Sequence, residues 1–287
     1  MKKIAVLATS TGSLDYLDIN YENLRIARMK ILMNDETFED YTEITAEEFY
    51  NRLKTDNSLV PTSSMPSIGE ILENIEELEA AGYEDLIIMP ISSKMSSTYE
   101  VCLMAKNQYE GKINIEVIDS VNAAISEGYL TIRILELIED NKNINEIVEY
   151  INKLKVNRKQ YFMVDNLRLF VANGRLSGAS GFIGSMFKIK PILEVNDEGQ
   201  IVSKEKIRTT KKSLQKMVDL ILEDLKDIKN FIVTYDTSDN EEGLNFVKEQ
   251  IEAAHPGYKY YEAPITPVVG CHTGVGTVGI AYFNLDI

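Results

Sequence analysis

Cysteine is scarce in this 287-residue chain, which has only Cys102 and Cys271, far apart and each beside apolar residues. That excludes a disulfide framework or a cysteine-rich metal site and leaves two reduced, buried thiols as the expectation. Basic charge is short too: 30 Lys and Arg stand against 45 Asp and Glu, a formal net charge of −15. A nucleic-acid backbone calls for concentrated Lys and Arg, so this balance argues against such a partner. Any anionic ligand needs a local exception to the overall field. No apolar run approaches the roughly 18 residues of a membrane span. Met1-Lys2-Lys3 leads straight into IAVLAT, too short for a signal-peptide core with its cleavage site, so a first buried strand in a cytoplasmic protein is expected. The G-x-x-x-x-G-K-[ST] loop of phosphate binders and the G-x-S-x-G elbow of hydrolases are both missing.

What is present has α/β rhythm. Short apolar, β-branched runs alternate with segments of helical period, and the length suggests two domains. The expected fold is an N-terminal three-layer α/β/α parallel-sheet domain over residues 1–155 and a C-terminal two-layer mixed-sheet α/β domain over 156–287. Expected strands in the first half are Lys3–Ala8, Leu24–Leu32, Asp85–Met89 and Ile113–Asp119. Thr45…Glu48 and Ser67…Glu70 fit the capping box and start two helices. A helix from Asn122 to about Asp140 and another from about Ile144 to Lys155 flank a polar patch. Further strands are expected at Gln160–Val164, Pro191–Val195, Ile201–Ile207, Phe231–Tyr235, Tyr258–Pro264 and Val278–Phe283, with helices at about Ser213–Leu225 and Glu241–Ala253. The turn Asn196–Gly199 makes two of these strands an antiparallel hairpin.

Ligands of open α/β sheets lie beyond the carboxyl ends of the strands, which gives weight to loops that follow strands. PISSKMSSTYEVC, residues 90–102, is such a loop and carries four serines and a threonine. Helix capping needs one hydroxyl, from Ser96 or Ser97, and leaves Ser92 and Ser93 unaccounted for. A second hydroxyl-rich stretch, Val60 to Ser67, is stiffened by two prolines. A third, Thr266 to Thr277, holds His272 among three glycines. A lone histidine is more often structural than functional, and the other one, His255, sits in an exposed-looking turn. The fourth, Asn173 to Gly181, runs into an apolar Phe182 to Phe187, suited to a neighbouring helix or an acyl chain. Lys204 to Lys212 is a basic cluster in an acidic chain, a solvated face or a dock for phosphate or an acidic partner.

Taken in order, SSMPS, SSKMSSTY, NGRLS, KIRTTKK and HTGVG resemble the TSQPS, SSxLSGTY, GGRxS, KxRTxKK and HxGPG stretches of the DegV family of bacterial lipid-binding proteins. The resemblance implies a long-chain fatty acid held in an apolar interdomain tunnel, with no metal, no other cofactor and no catalytic residue in this chain. It also implies a separate ATP-using fatty acid kinase subunit that phosphorylates the presented carboxylate, with transient membrane contact allowed. By position, Ser63, Ser93 and His272 would hydrogen-bond the carboxylate, with Ser96 and Thr273 contributing, while Arg175 and Arg208 would face the partner. The chain departs from the family at Thr9, where an aspartate is usual, and at Met65, Ser97, Asn173 and Val275.

The physics agrees with a neutral cradle. A partly desolvated carboxylate needs donors, and hydroxyls with one imidazole supply them while leaving the ligand exchangeable. Each buried methylene of a tail adds roughly 0.8 kcal/mol. Two other readings stand beside the carrier: an acyl hydrolase with Ser93 as nucleophile and His272 as base, and a carrier of some other amphiphile.

Overall fold

Every side chain of the first strand, Ile4–Thr9, is buried, which requires cover on both faces of its sheet. Ile4 and Val6 pack into one core with Tyr129, Leu130 and Ile147, whereas Ala5 and Leu7 pack into another with Ile71, Ile75 and Cys102. That alternation makes three layers. The computed structural model describes residues 2–176 and 189–287, so the expected apolar stretch Phe182–Phe187 and Ser177–Gly181 before it lie outside the described residues.

The first half runs β1 (Ile4–Thr9), β2 (Leu24–Ala27), β3 (Lys30–Met33), β4 (Glu36–Glu39), α1 (Ala46–Thr55), β5 (Thr62–Ser64), α2 (Ile68–Ala80), β6 (Asp85–Met89), α3 (Thr98–Gln108), β7 (Asn114–Val117), α4 (Ile125–Glu139) and α5 (Ile144–Leu154). The second continues β8 (Arg158–Met163), α6 (Arg168–Ala172), β9 (Ile192–Val195), β10 (Ile201–Glu205), α7 (Thr210–Leu225), β11 (Phe231–Thr237), α8 (Glu241–Ala254), β12 (Lys259–Pro264), α9 (Pro267–Thr273) and β13 (Val278–Asn284). Both expected capping boxes form, at Thr45 and Ser67.

A parallel sheet ordered β2-β1-β6-β7 lies between α2 and α3 on one face and α4 and α5 on the other. A mixed sheet ordered β10-β9-β8-β13-β11-β12 follows, with the Asn196–Gly199 turn joining an antiparallel β9–β10 pair as expected. Val233, Tyr235, Val278 and Ile280 turn one face of this sheet to α7 and α8. Ile232 and Phe283 turn the other to α4, so the first domain forms its second cover.

The expected single strand Leu24–Leu32 is two. β2 pairs with β1 only as far as Ala27, where β1 ends at Thr9. There the Met29 amide donates to Ser10 Oγ, and Arg28 pairs with Asp15, turning the chain away into a three-stranded antiparallel sheet ordered β4-β3-β5. The edge of that sheet is the hydroxyl-rich stretch itself, with Ser63 opposite Ile31.

Candidate functional site

The serines after β6 divide the work. Ser92 is fully buried and its hydroxyl donates to the Gly199 carbonyl at 2.9 Å, tying the first domain to the tip of the β9–β10 hairpin. Gly199 is required there: its φ is +82°, and a Cβ would stand 2.3 Å from Ser92 Oγ. The Ser93 hydroxyl donates to Asp119 Oδ2 at 2.5 Å, and its amide to Asp119 Oδ1 at 3.1 Å. Ser97 leads α3 without a side-chain cap; instead Ser96 Oγ accepts from the Thr98 amide at 3.3 Å.

Ser63 and His272 meet. β3 fixes Ser63 through the backbone ladder, and α9 delivers His272 in its last turn. The sequence expectation saw only glycines around this histidine, yet Pro267 opens a helix and Gly270 lets it lie against α1. A Cβ at 270 would be 2.6 Å from Tyr50 Oη and 2.8 Å from Phe49 Cε1. Ser63 Oγ and His272 Nε2 are then 2.9 Å apart. Asn173, just past α6, donates from Nδ2 to the Pro61 carbonyl at 3.1 Å and the Cys271 carbonyl at 2.8 Å, clasping the two segments together.

Behind that pair lies a cavity of about 750 Å³, counting the open space at its mouth. Its walls are mostly apolar: Met29, Ile91 and Met95 from the first domain face Phe162, Phe170, Val195 and Ile201 from the second, with Ile265 and Val268 beside α9. Ser63, Ser96, His272, Thr273 and Arg175 also line it. Ser93 does not, since its hydroxyl is turned to Asp119. Arg175 is both exposed and part of the lining, which puts a full positive charge at the mouth where only neutral donors were expected. Arg208 is exposed ahead of α7 and takes no part in the cavity.

Burial, with a further contribution from Arg175, lowers the His272 pKa from 6.5 to about 4, so the imidazole is neutral at pH 7. Its Nδ1 is buried with no partner among the described residues. Among the described residues no carboxylate orients the ring, and Ser93 is bonded to Asp119, so the two do not form a nucleophile–base pair. What the group can do is offer hydroxyl and N–H donors to an anion beside a guanidinium.

Four polar residues of the lining, Thr11, Gln160, Asp236 and Thr277, were not assigned to the site from the sequence. Thr11 donates with Thr9 to the buried carboxyl of Glu127, at 2.8 and 2.7 Å, so a carboxyl group stands beside Thr9 although the family's usual aspartate does not. Gln160 and Asp236 also line the cavity. Their signal was a polar residue breaking an apolar strand, KQYF and VTYD. Among the described residues no His, Cys, Asp and Glu cluster could hold a metal, and no helix is long and apolar enough to cross a membrane.

Comparison with known proteins gives concordant results. Residues 3–285 match the family described as "Uncharacterised protein, DegV family". A DegV domain-containing protein of Staphylococcus aureus (strain N315) is 32% identical over 287 residues, covering 99% of each chain. The crystal structure of DegV, a fatty acid binding protein from Bacillus subtilis, is 28% identical with a TM-score of 0.87 over 99% of this chain and 100% of that one. A fatty-acid-binding DegV family protein from Streptococcus agalactiae shares the fold at 22% identity, with a TM-score of 0.91 over the whole of both chains. The Streptococcus pneumoniae Fatty Acid Kinase (Fak) B3 protein, loaded with linoleic acid, shares it at 20% identity, with a TM-score of 0.85 over 98% of this chain and 99% of that one.

Proposed function

The chain belongs to the DegV family, and on that premise we propose that it binds a long-chain fatty acid in the interdomain cavity and presents the carboxylate to a separate ATP-using kinase subunit. The observation that carries this reading is the Ser63–His272 pair in the wall of an otherwise mostly apolar cavity. A carboxylate there accepts from the Ser63 hydroxyl and the neutral imidazole, with Ser96 and Thr273 as further donors and Arg175 as the countercharge. The likeness to the Bacillus subtilis fatty acid binding protein supports the ligand class.

Buried methylenes, at roughly 0.8 kcal/mol each, secure the tail, so the head group needs no tight ionic clamp and stays available for phosphoryl transfer. The chain itself carries no phosphate-binding loop, which is why the nucleotide is assigned to a partner. The exposed side chains of Arg208, Lys211 and Lys212 and the exposed Arg175 are the basic surfaces offered to that partner.

The reading is tested by denaturing the purified protein, extracting it with organic solvent and weighing the extract by mass spectrometry. A stoichiometric long-chain fatty acid is expected. An extract without one, together with no uptake of added fatty acid by the delipidated protein, refutes the carrier.

A further inference from the structure

The wall that an alkyl tail would touch is not uniformly greasy. Gln160 and Asp236 line the cavity from the face of the second sheet turned to the first domain, and β13 runs between them with a strip of small residues outside the lining: Gly279 pairs with Asp236 and Phe162, and Ala281 with Thr234 and Gln160. Thr234 is satisfied by Ser126 at 2.9 Å. Gln160 is only 5% exposed, and its Nε2 donates to the Ala123 carbonyl at 3.3 Å. A carbonyl only accepts, so the amide nitrogen must face Ala123, which fixes the other atom as Oε1. That Oε1 is buried with no partner among the described residues. Asp236 is likewise 5% exposed, and no hydrogen bond to its carboxyl is present among the described residues. From strand spacing and rise, the two residues stand about 12 Å apart, one on each side of the small-residue strip.

A saturated tail in the cavity that Gln160 lines leaves this acceptor unpaired in a mostly apolar setting, which costs free energy. A double bond does not relieve it, because an alkene donates nothing. A hydroxyl does.

We propose that the ligand is a fatty acid bearing a hydroxyl group on its tail, seated so that this hydroxyl donates to Gln160 Oε1. The inference rests on the fatty-acid reading of the cavity and names the ligand class within it. Gln160 is then a specificity residue. Asp236 gives the passage a second polar wall and so further disfavours a plain hydrocarbon. A keto group at the same position would not serve, since it has no proton to give.

The experiment uses the delipidated full chain and direct binding of octadecanoic acid, a series of octadecanoic acids with the hydroxyl moved along the tail, and the keto analogue of the tightest member. One position in the series should bind about tenfold more tightly than the unsubstituted acid, the worth of one buried hydrogen bond, with the keto analogue losing the gain. Gln160→Leu should erase the preference while still binding octadecanoic acid. Gln160→Met, closer in shape, guards against a packing defect, and thermal melting reports whether either variant is folded. Equal affinity for all the acids in the native protein overturns this proposal and leaves the carrier standing. A preference that survives Gln160→Met overturns it also. Failure of every acid to bind removes both.

Discussion

Ser63 Oγ and His272 Nε2 lie 2.9 Å apart although 209 positions separate them in sequence. The contact joins the edge strand of the small sheet to the last turn of α9. Ser63→Ala and His272→Ala are each expected to weaken fatty-acid binding about tenfold, the scale of a hydrogen bond to a charged group. Because the two share one ligand group, the double variant should lose less than the product of the single losses, which titration of the four proteins would reveal. Full additivity would show that they do not act on the same carboxylate.

Asn173 replaces the glycine usual in the family and holds Pro61 and Cys271, the segments that bear Ser63 and His272. Asn173→Ala and Asn173→Gly remove both bonds without touching the cavity's donors. Affinity should fall several-fold while the melting temperature moves little, since the residue is only half-buried. A melting shift as large as that of a core truncation, with affinity intact, would make the clasp merely structural.

Burial raises the Asp236 carboxyl from 3.8 to about 7. Between those values the native state keeps a proton that the unfolded chain has released, so this group's contribution to stability falls as pH rises from about 4 to about 7 and is level above that. Glu127, raised to about 8, and Asp40, raised to about 7, slope the same way, whereas His272, lowered to about 4, adds stability as pH rises toward 6.5. The difference between the native protein and Asp236→Asn isolates one group. Denaturant unfolding of both from pH 4 to 8 should show a shallower decline in the variant, and parallel curves would place the carboxyl's pKa near its ordinary value.

The sequence was most readable where one local rule decides the outcome. The capping boxes at Thr45 and Ser67 and the turn at Asn196–Gly199 depend on neighbours only, and all formed. Asp85–Met89 was readable as a strand buried on both faces, which is what the unbroken apolar run after Asp85 signifies. The break at Arg28–Met29 was not, because it arises from distant Ser10 and Asp15. Nor was α9, whose glycine and two valines are poor helix formers until α1 supplies a surface to pack on. For the site, motif order singled out Ser63, Ser96, His272 and Thr273, which line one cavity, but no pattern along the chain says which way a hydroxyl turns. Ser92 and Ser93 turn to Gly199 and Asp119.

The hairpin that Ser92 holds is also held by Arg158, 2% exposed and without a carboxylate in contact. It donates to Asn122 Oδ1 and the Val121 carbonyl on the first-domain side and to the Val195 and Asn196 carbonyls on the second. Burial pulls its pKa from 12.5 down to about 10, so the charge persists at pH 7, spread over four acceptors rather than paired with one. Arg158→Met keeps the stem and removes every donor, leaving buried carbonyls unsatisfied. A loss of about 3 kcal/mol in denaturant unfolding is expected. Gly199→Ala attacks the same contact from the other side, through positive φ and the Cβ clash with Ser92, and should cost about 1 kcal/mol or more. Since both act on the hairpin whose Val195 and Ile201 line the cavity, the two should be less than additive and should each weaken ligand retention. Full stability and retention in both variants would show that the hairpin is not part of what keeps the domains closed.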